Sequence, residues 1–344
     1  MLSFACDHCG SLVFFENTVC LHCRTELGFL PERLTLVQLE SDDGRLERCV
    51  NAEIARCNWV AGTAGALCLS CELTQTRPND QDPVGLAEFA DSEAAKRRVV
   101  FQLLELGLPD VDPQHLRFDL LSSQHGPVTT GHADGLITVD VAEADDAERE
   151  QRRQDLAEPY RTMVGHLRHE LGHYFQPRLL IEDADWTACR ALFGDDRDDY
   201  QLAMSRHYKN GAPPGWQQNF VSAYATMHPW EDWAETFSHY LHIRDALETA
   251  SEYGVVVTGP RAVAYDRSLK ASPQPEAGDR SFTELVDNWL PLTYALNAVN
   301  RSMGRDDLYP FTLGPAVITK LQFVHERIHA VARGRPAGAI AEPS

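Results

Sequence analysis

Apolar positions along this chain repeat with two periods. Met163, Leu167, Leu171 and Phe175 stand four residues apart, the stripe of a helix that buries one face. Pro159, after Glu158, fits the first position of that helix, where a missing N–H is no loss. Trp230, Trp233 and Phe237, three and four residues apart, imply burial of a second helix started by Pro229 and Trp230. A third is expected over residues 92–106, with Ser92 as N-cap and Gly107 and Pro109 as stop signals. Residues 282–303, bent at Pro291, and 315–332 read as helices closing the domain. Strand patterns mark residues 116–121 and 128–141, the second broken by the turn His132-Ala-Asp-Gly135. Leu12-Val13-Phe14-Phe15 reads as a further short strand. The pattern predicts an α+β protein, with a small N-terminal module over residues 1–75 and a mainly helical domain with a small β-sheet over 85–333.

The intervening stretches are polar. Arg77-Pro-Asn-Asp-Gln-Asp-Pro83 marks the first domain boundary, and Asn210-Gly-Ala-Pro-Pro-Gly215 a hinge. Residues 145–155 form a charged run expected to be solvated, 259–280 a long loop or lid, and 334–344 a disordered tail. Phe193-Gly-Asp-Asp-Arg-Asp-Asp-Tyr200 gathers carboxylates without calcium-loop spacing and reads as a helix-capping loop.

Cysteine usage changes the picture of the first 75 residues. Cys6-Asp-His-Cys9 and Cys20-Leu-His-Cys23 are two tight turns that each aim two sulfurs at one point. Four thiolates close a tetrahedral structural zinc site, and the strand between the turns is that of a zinc ribbon. His8 and His22 inside the turns read as exposed loop residues. Cys49, Cys57, Cys68 and Cys71 form a second cluster with only one CxxC pair. They read either as a second four-cysteine zinc site or as buried thiols packed as small hydrophobes. In both cases the segment holds too few apolar residues to fold without metal. Such a ribbon could also dock a protein partner. Cys189 stands alone and reads as a buried structural thiol.

Charge narrows the function. With 51 acidic against 31 basic residues the net charge is -20, which argues against a nucleic-acid partner or an anionic membrane surface. No apolar run approaches the roughly 20 residues of a membrane span. Metal-ligand candidates begin at Cys6, and close CxxC pairs suit reduced thiols, so a cytoplasmic protein is expected.

The chemistry gathers at His166-Leu-Arg-His169-Glu170-Leu-Gly-His173, which contains H-E-x-x-H. Imidazoles four apart on a helix converge on one metal ion, and the intervening Glu170 can reach a metal-activated water as general base. A hydrolytic zinc site needs a third protein ligand. Tyr224-Ala-Thr-Met-His228-Pro-Trp-Glu231-Asp-Trp-Ala-Glu235 offers Glu231 and Glu235 on one helix face, suited to one carboxylate on the metal and one holding a ligating imidazole. His166, His207, His228, His239 and His242 are further candidates for supporting or substrate contacts, with a structural role the plainer reading of each. A strand beside the H-E-x-x-H helix could bind an extended peptide by edge addition.

H-E-x-x-H followed downstream by Glu231-Asp-Trp-Ala-Glu235 resembles the gluzincin metallopeptidases. More broadly, the ribbon with Phe14-Phe-Glu-Asn17, Gly131-His132, Glu158-Pro-Tyr-Arg161, His166-Leu-Arg-His-Glu170 and His228-Pro-Trp-Glu-Asp-Trp-Ala-Glu235 resembles a bacterial family called putative zinc-binding metallopeptidases. The resemblance implies one catalytic zinc on His169, His173 and Glu231, with Glu235 behind a ligand, beside one or two structural zincs. It implies a Glu170 general base, a Tyr224 hydroxyl on the oxyanion, and a protein or peptide substrate. The expected activity is zinc-dependent endopeptidase or isopeptidase chemistry. A catalytically idle zinc-ribbon adaptor and a zinc amidase acting on a non-peptide substrate are the competing readings.

Overall fold

Asp82 and Pro83 start the longest helix of the N-terminal half. The Asp82 carboxylate accepts from the Gly85 N–H at 2.8 Å, and Pro83 fills the first helical position. The computed structural model describes residues 2–41, 44–144, 162–259, 270–273 and 281–333. The motif Glu158-Pro-Tyr-Arg161 with Pro159, the charged run 145–155, most of the 259–280 loop and the tail from Gly334 lie outside the described residues. The architecture is mixed α and β, with eight α-helices and several small sheets among the described residues. The described residues fall into two compact units: one of Ser3 to Ala144, Thr162 to Leu179 and Ile328 to Arg333, and one within Leu180 to Arg327.

The first unit begins with small antiparallel pairs. β1 (Phe4–Ala5) pairs with β2 (Leu12–Val13), β3 (Leu27–Leu30) with β4 (Thr35–Gln38), β5 (Glu40–Ser41) with β6 (Gly44–Arg45), and β7 (Glu47–Arg48) with β8 (Val60–Ala61). Pairs this short are held by their surroundings. Phe15, Phe29 and Trp59 stack edge-on or tilted, with Phe29 and Trp59 centroids 4.8 Å apart. Phe101 completes the cluster at 5.3 Å from Phe15 and 5.6 Å from Phe29. Phe101 comes from α2 (Pro83–Glu105), so the cysteine-rich segment borrows core from the following helix.

After α1 (Leu69–Glu72) come β9 (Thr74–Thr76), α2, β10 (Arg117–Leu121), β11 (Gly131–Ala133) and β12 (Leu136–Asp140). They make a four-stranded sheet ordered β11-β12-β10-β9, with β12 and β9 parallel to β10, and β11 antiparallel to β12 at the edge. Phe118, Leu120, Ile137 and Val139 alternate inward and are fully buried. Each such side chain contributes roughly 1.5–3 kcal/mol by leaving water. α2 starts ten residues earlier than Ser92 suggested. Ser92 lies mid-helix with its hydroxyl donating to the Glu88 carbonyl, so it needs no cap position. α3 (Met163–Leu179) packs on α2 and β11 and ends two residues after Pro177.

The second unit is helical: α4 (Asp183–Phe193), α5 (Tyr200–Asn210), α6 (Pro229–Glu252), α7 (Phe282–Ser302) and α8 (Pro315–Arg333) as far as Arg327. Reciprocal capping by Glu182 and Asp185 starts α4, Asp199 caps α5, and Ser281 with Glu284 starts α7. Trp233 of α6 packs between Phe193 and Phe323, and buried Lys320 donates to Asp232 at 2.6 Å. The Asn297 side chain donates to and accepts from the Tyr309 backbone, pinning the loop before α8.

Candidate metal centres

The two N-terminal cysteine turns share one backbone plan. In each, the fifth residue (Gly10, φ +70°, and Arg24, φ +65°) turns left-handed and donates to the first cysteine's carbonyl at 2.8 Å. Ser11 and Thr25 follow, their carbonyls accepting from the N–H of Cys6 and Cys20. The two turns bring the four sulfurs together within 4.8 Å of one another, with Cys6–Cys23 and Cys9–Cys20 at 3.7 Å. Two sulfurs on one tetrahedral zinc, at about 2.3 Å each, stand about 3.8 Å apart. The cluster has zinc dimensions.

Its protonation tells the same story. Burial pushes the Cys6 thiol up to about 11, whereas the Thr25 hydroxyl beside Cys23 brings that thiol down to about 6, and Ser11 lowers Cys9. A dication at their centre would favour the thiolate form of all four.

Cys49, Cys57, Cys68 and Cys71 are all buried and likewise lie within 4.8 Å of one another, with Cys57–Cys68 at 3.6 Å. Hydrogen bonds among the four push Cys49 and Cys57 down and Cys68 and Cys71 up. The four sulfurs converge as a second four-cysteine metal site would require, because α1 turns Cys68 and Cys71 back onto the other pair. Among the described residues all nine cysteines are free of disulfides, and Cys189 is buried.

On α3 the imidazoles of His169 and His173 meet with their Nε2 atoms 3.2 Å apart and rings nearly perpendicular, at 86°. Two nitrogens on a tetrahedral zinc, at about 2.0–2.1 Å each, stand about 3.3 Å apart. Glu170 accepts from His166 Nε2 at 3.2 Å through Oε1, while Oε2 has no hydrogen-bond partner among the described residues. His166 Nδ1 lies 2.7 Å from Glu143 Oε2. Burial works against the charged form of both His166 and Glu170, but their mutual contact and Glu143 outweigh it. His166 rises to about 9 and Glu170 falls below the usual carboxylate range. Burial, with the neighbouring His173, pushes His132 on β11 down to about 4, so it is a neutral imidazole. The helix itself is held by Arg168 donating to Gln102 at 3.0 Å and Tyr174 donating to the Asp110 carbonyl at 2.6 Å.

The second unit holds the remaining candidates. α6 carries Glu231 and Glu235 one turn apart; Tyr200 donates to Glu231 Oε1 at 2.9 Å and Ser222 to Glu235 Oε2 at 2.5 Å. Tyr224 opens the 3₁₀ turn Tyr224–Thr226, its ring 6.2 Å from that of His207. His228 caps α6, accepting from Trp230 N–H and donating to the Asp198 carbonyl. His239 meets the Tyr309 hydroxyl at 2.6 Å, and His242 is buried beside it. Glu143 and Tyr200 carry no local sequence signal, since their partners lie 23 and 31 residues away.

Zinc-sized thiolate clusters in front of a helix with paired imidazoles and a carboxylate define a zinc-binding protein of the metallopeptidase class. The chain belongs to the family described as "Putative zinc-binding metallo-peptidase", which matches residues 85–327, and residues 3–82 match a zinc-ribbon domain. It is 50% identical over 340 residues to uncharacterized proteins of Mycobacterium tuberculosis and Mycobacterium bovis, covering 96% of each chain. No solved structure is significantly similar. Among the described residues no helix is long and apolar enough to cross a membrane.

Proposed function

We propose that the chain is a zinc-dependent peptide-bond hydrolase of gluzincin type, an endopeptidase or isopeptidase, whose catalytic ion is held by His169, His173 and Glu231. The observation that carries this is the convergence of His169 and His173 at zinc spacing beside a carboxylate with one open oxygen. Glu231, the carboxylate of the downstream motif, is the third ligand that the resemblance to the gluzincins adds to the two imidazoles, a donor set of the kind that holds zinc. Tyr200 would orient Glu231 through its Oε1. Residues 1–75 would serve as a zinc-ribbon module and 85–333 as the catalytic domain, three zinc ions in all.

Zinc so held would supply Lewis acidity that polarises the scissile carbonyl and makes water a usable nucleophile near neutral pH. Glu170 Oε2 takes the proton from the attacking water and passes it to the leaving nitrogen. Tyr224 donates to the developing oxyanion, and Glu235, held by Ser222, backs the ligand set. β11, the sheet edge packed along α3, offers backbone groups to an extended peptide, which favours a peptide over a small amide.

The test is metal content together with hydrolysis. Untagged protein is expected to hold about three zinc ions, falling by about one in His173→Ala with the thiolate ions retained. Glu170→Gln should keep all three and lose hydrolysis of an unfolded protein substrate. Equal zinc in wild type and His173→Ala would sink the proposal and favour the adaptor reading.

A further inference from the structure

Behind the open carboxylate of Glu170 lies a buried arrangement that H-E-x-x-H does not require. Glu143 sits in the 3₁₀ turn Val141–Ala144 directly after β12, where the Asp140 side chain accepts from the Ala142 N–H at 3.1 Å and α2 packs on the turn. His166 sits in the first turn of α3, beside Gly165, whose N–H donates to the Thr162 hydroxyl at 3.0 Å. One imidazole therefore stands between two carboxylates, at 2.7 Å from Glu143 and 3.2 Å from Glu170. The side chains of Glu143, His166 and Glu170 are 3%, 9% and 8% exposed, so water does not substitute for these bonds. All three residues belong to the first unit.

A carboxylate only accepts. A neutral imidazole carries a single N–H and would leave one of the two carboxylates facing a nitrogen lone pair in a dry site. The ring that satisfies both carries two N–H groups. It then occupies Oε1 of Glu170 and leaves Oε2 as the oxygen that can receive a proton. It also ties down a carboxylate that, beside a metal ion, would otherwise be drawn onto the ion as an extra ligand.

We propose that His166, gripped by Glu143, is the positioning residue for the general base: its doubly protonated ring anchors Glu170 by Oε1 and reserves Oε2 for the proton of the attacking water. The proposal rests on the hydrolase reading above. The proton count is closed. Glu170 Oε2 accepts one proton from water and gives it to the leaving nitrogen, while His166 keeps both ring protons and Glu143 stays a carboxylate.

The experiment combines nitrogen-15 histidine-labelled, zinc-loaded protein with kinetics. At pH 7.5 the imidazole spectrum should contain two solvent-shielded ring N–H signals that vanish together in His166→Gln. The isosteric variant Glu143→Gln should retain fold and zinc content, and lower kcat about 10–100-fold with KM unchanged. The double variant Glu143→Gln/His166→Gln should be no slower than His166→Gln alone. A single ring N–H for His166, or an unaltered kcat in Glu143→Gln, would overturn the proposal. Failure of the underlying reading shows separately, as equal zinc content in wild type and His173→Ala.

Discussion

Replacing Lys96 by Met tests how the second thiolate cluster is tied to the helix behind it. Lys96 and Glu93 of α2 are 1% and 0% exposed, with Nζ 2.6 Å from Glu93 Oε1. The ammonium also donates to the Thr74 hydroxyl and lies 5.4 Å from the centre of the Phe118 ring. The other Glu93 oxygen is 3.7 Å from Arg97 and 3.9 Å from Cys71 Sγ. Met keeps the unbranched stem and its packing but removes the charge. Glu93 is then a buried carboxylate whose neighbours are the Thr74 hydroxyl on Oε1 and, on Oε2, a distant guanidinium and a cysteine sulfur, none of which replaces the lost ammonium. Breaking one partner of a buried pair costs about 3–5 kcal/mol, mostly because the remaining charge stays desolvated. The assay is urea unfolding at neutral pH in zinc-replete buffer, followed by far-ultraviolet circular dichroism. Lys96→Met should lower the unfolding free energy by that amount, read as a lower midpoint at constant slope, and Glu93→Gln/Lys96→Met should recover most of it. A loss below about 1 kcal/mol, the range of an exposed pair, would refute the reasoning. So would a double variant as unstable as the single one.

Two further outcomes follow from particular geometries. Gly135 turns the β11–β12 hairpin at φ +78°, where an added Cβ would stand 2.2 Å from the His115 carbonyl oxygen; Gly107 has φ +65° and open space around it. Gly107→Ala should cost only the conformational strain, about 1–3 kcal/mol. Gly135→Ala should exceed it in a thermal melt; equal losses would contradict the close approach. His166 titrates near 9 in the fold against an ordinary value of 6.5, so its ion pairs contribute stability in full below about pH 6.5 and lose it as pH rises through about 9. The shift corresponds to about 3 kcal/mol. Unfolding free energies of wild type and His166→Gln measured across that window should converge by this amount, and parallel curves would count against a charged ring.

Local spacing made much of this protein legible. A CxxC turn brings its two sulfurs together, and an i, i+4 histidine pair converges on one helix face, because each arrangement closes within a single turn of backbone. The helical stripe of Met163 to Phe175 and the hairpin at His132-Ala-Asp-Gly135 were readable for the same reason, as was the mixed α and β class. The start of α2 was misread, because Ser92 has the chemistry of a cap and the local start signal of Asp82 and Pro83 was taken for part of the polar boundary segment. Whether Cys49 and Cys57 join Cys68 and Cys71 depended on how α1 folds back, not on their spacing in the chain. Phe101 entering the aromatic core of the ribbon, Glu93 and Lys96 buried together beside Thr74 and Cys71, and Glu143 gripping His166 were all decided by packing. The sequence by itself determined which donors lie next to one another along a turn. Only the tertiary structure could decide which charges are buried together, since desolvation depends on everything that surrounds a group and no local pattern records it.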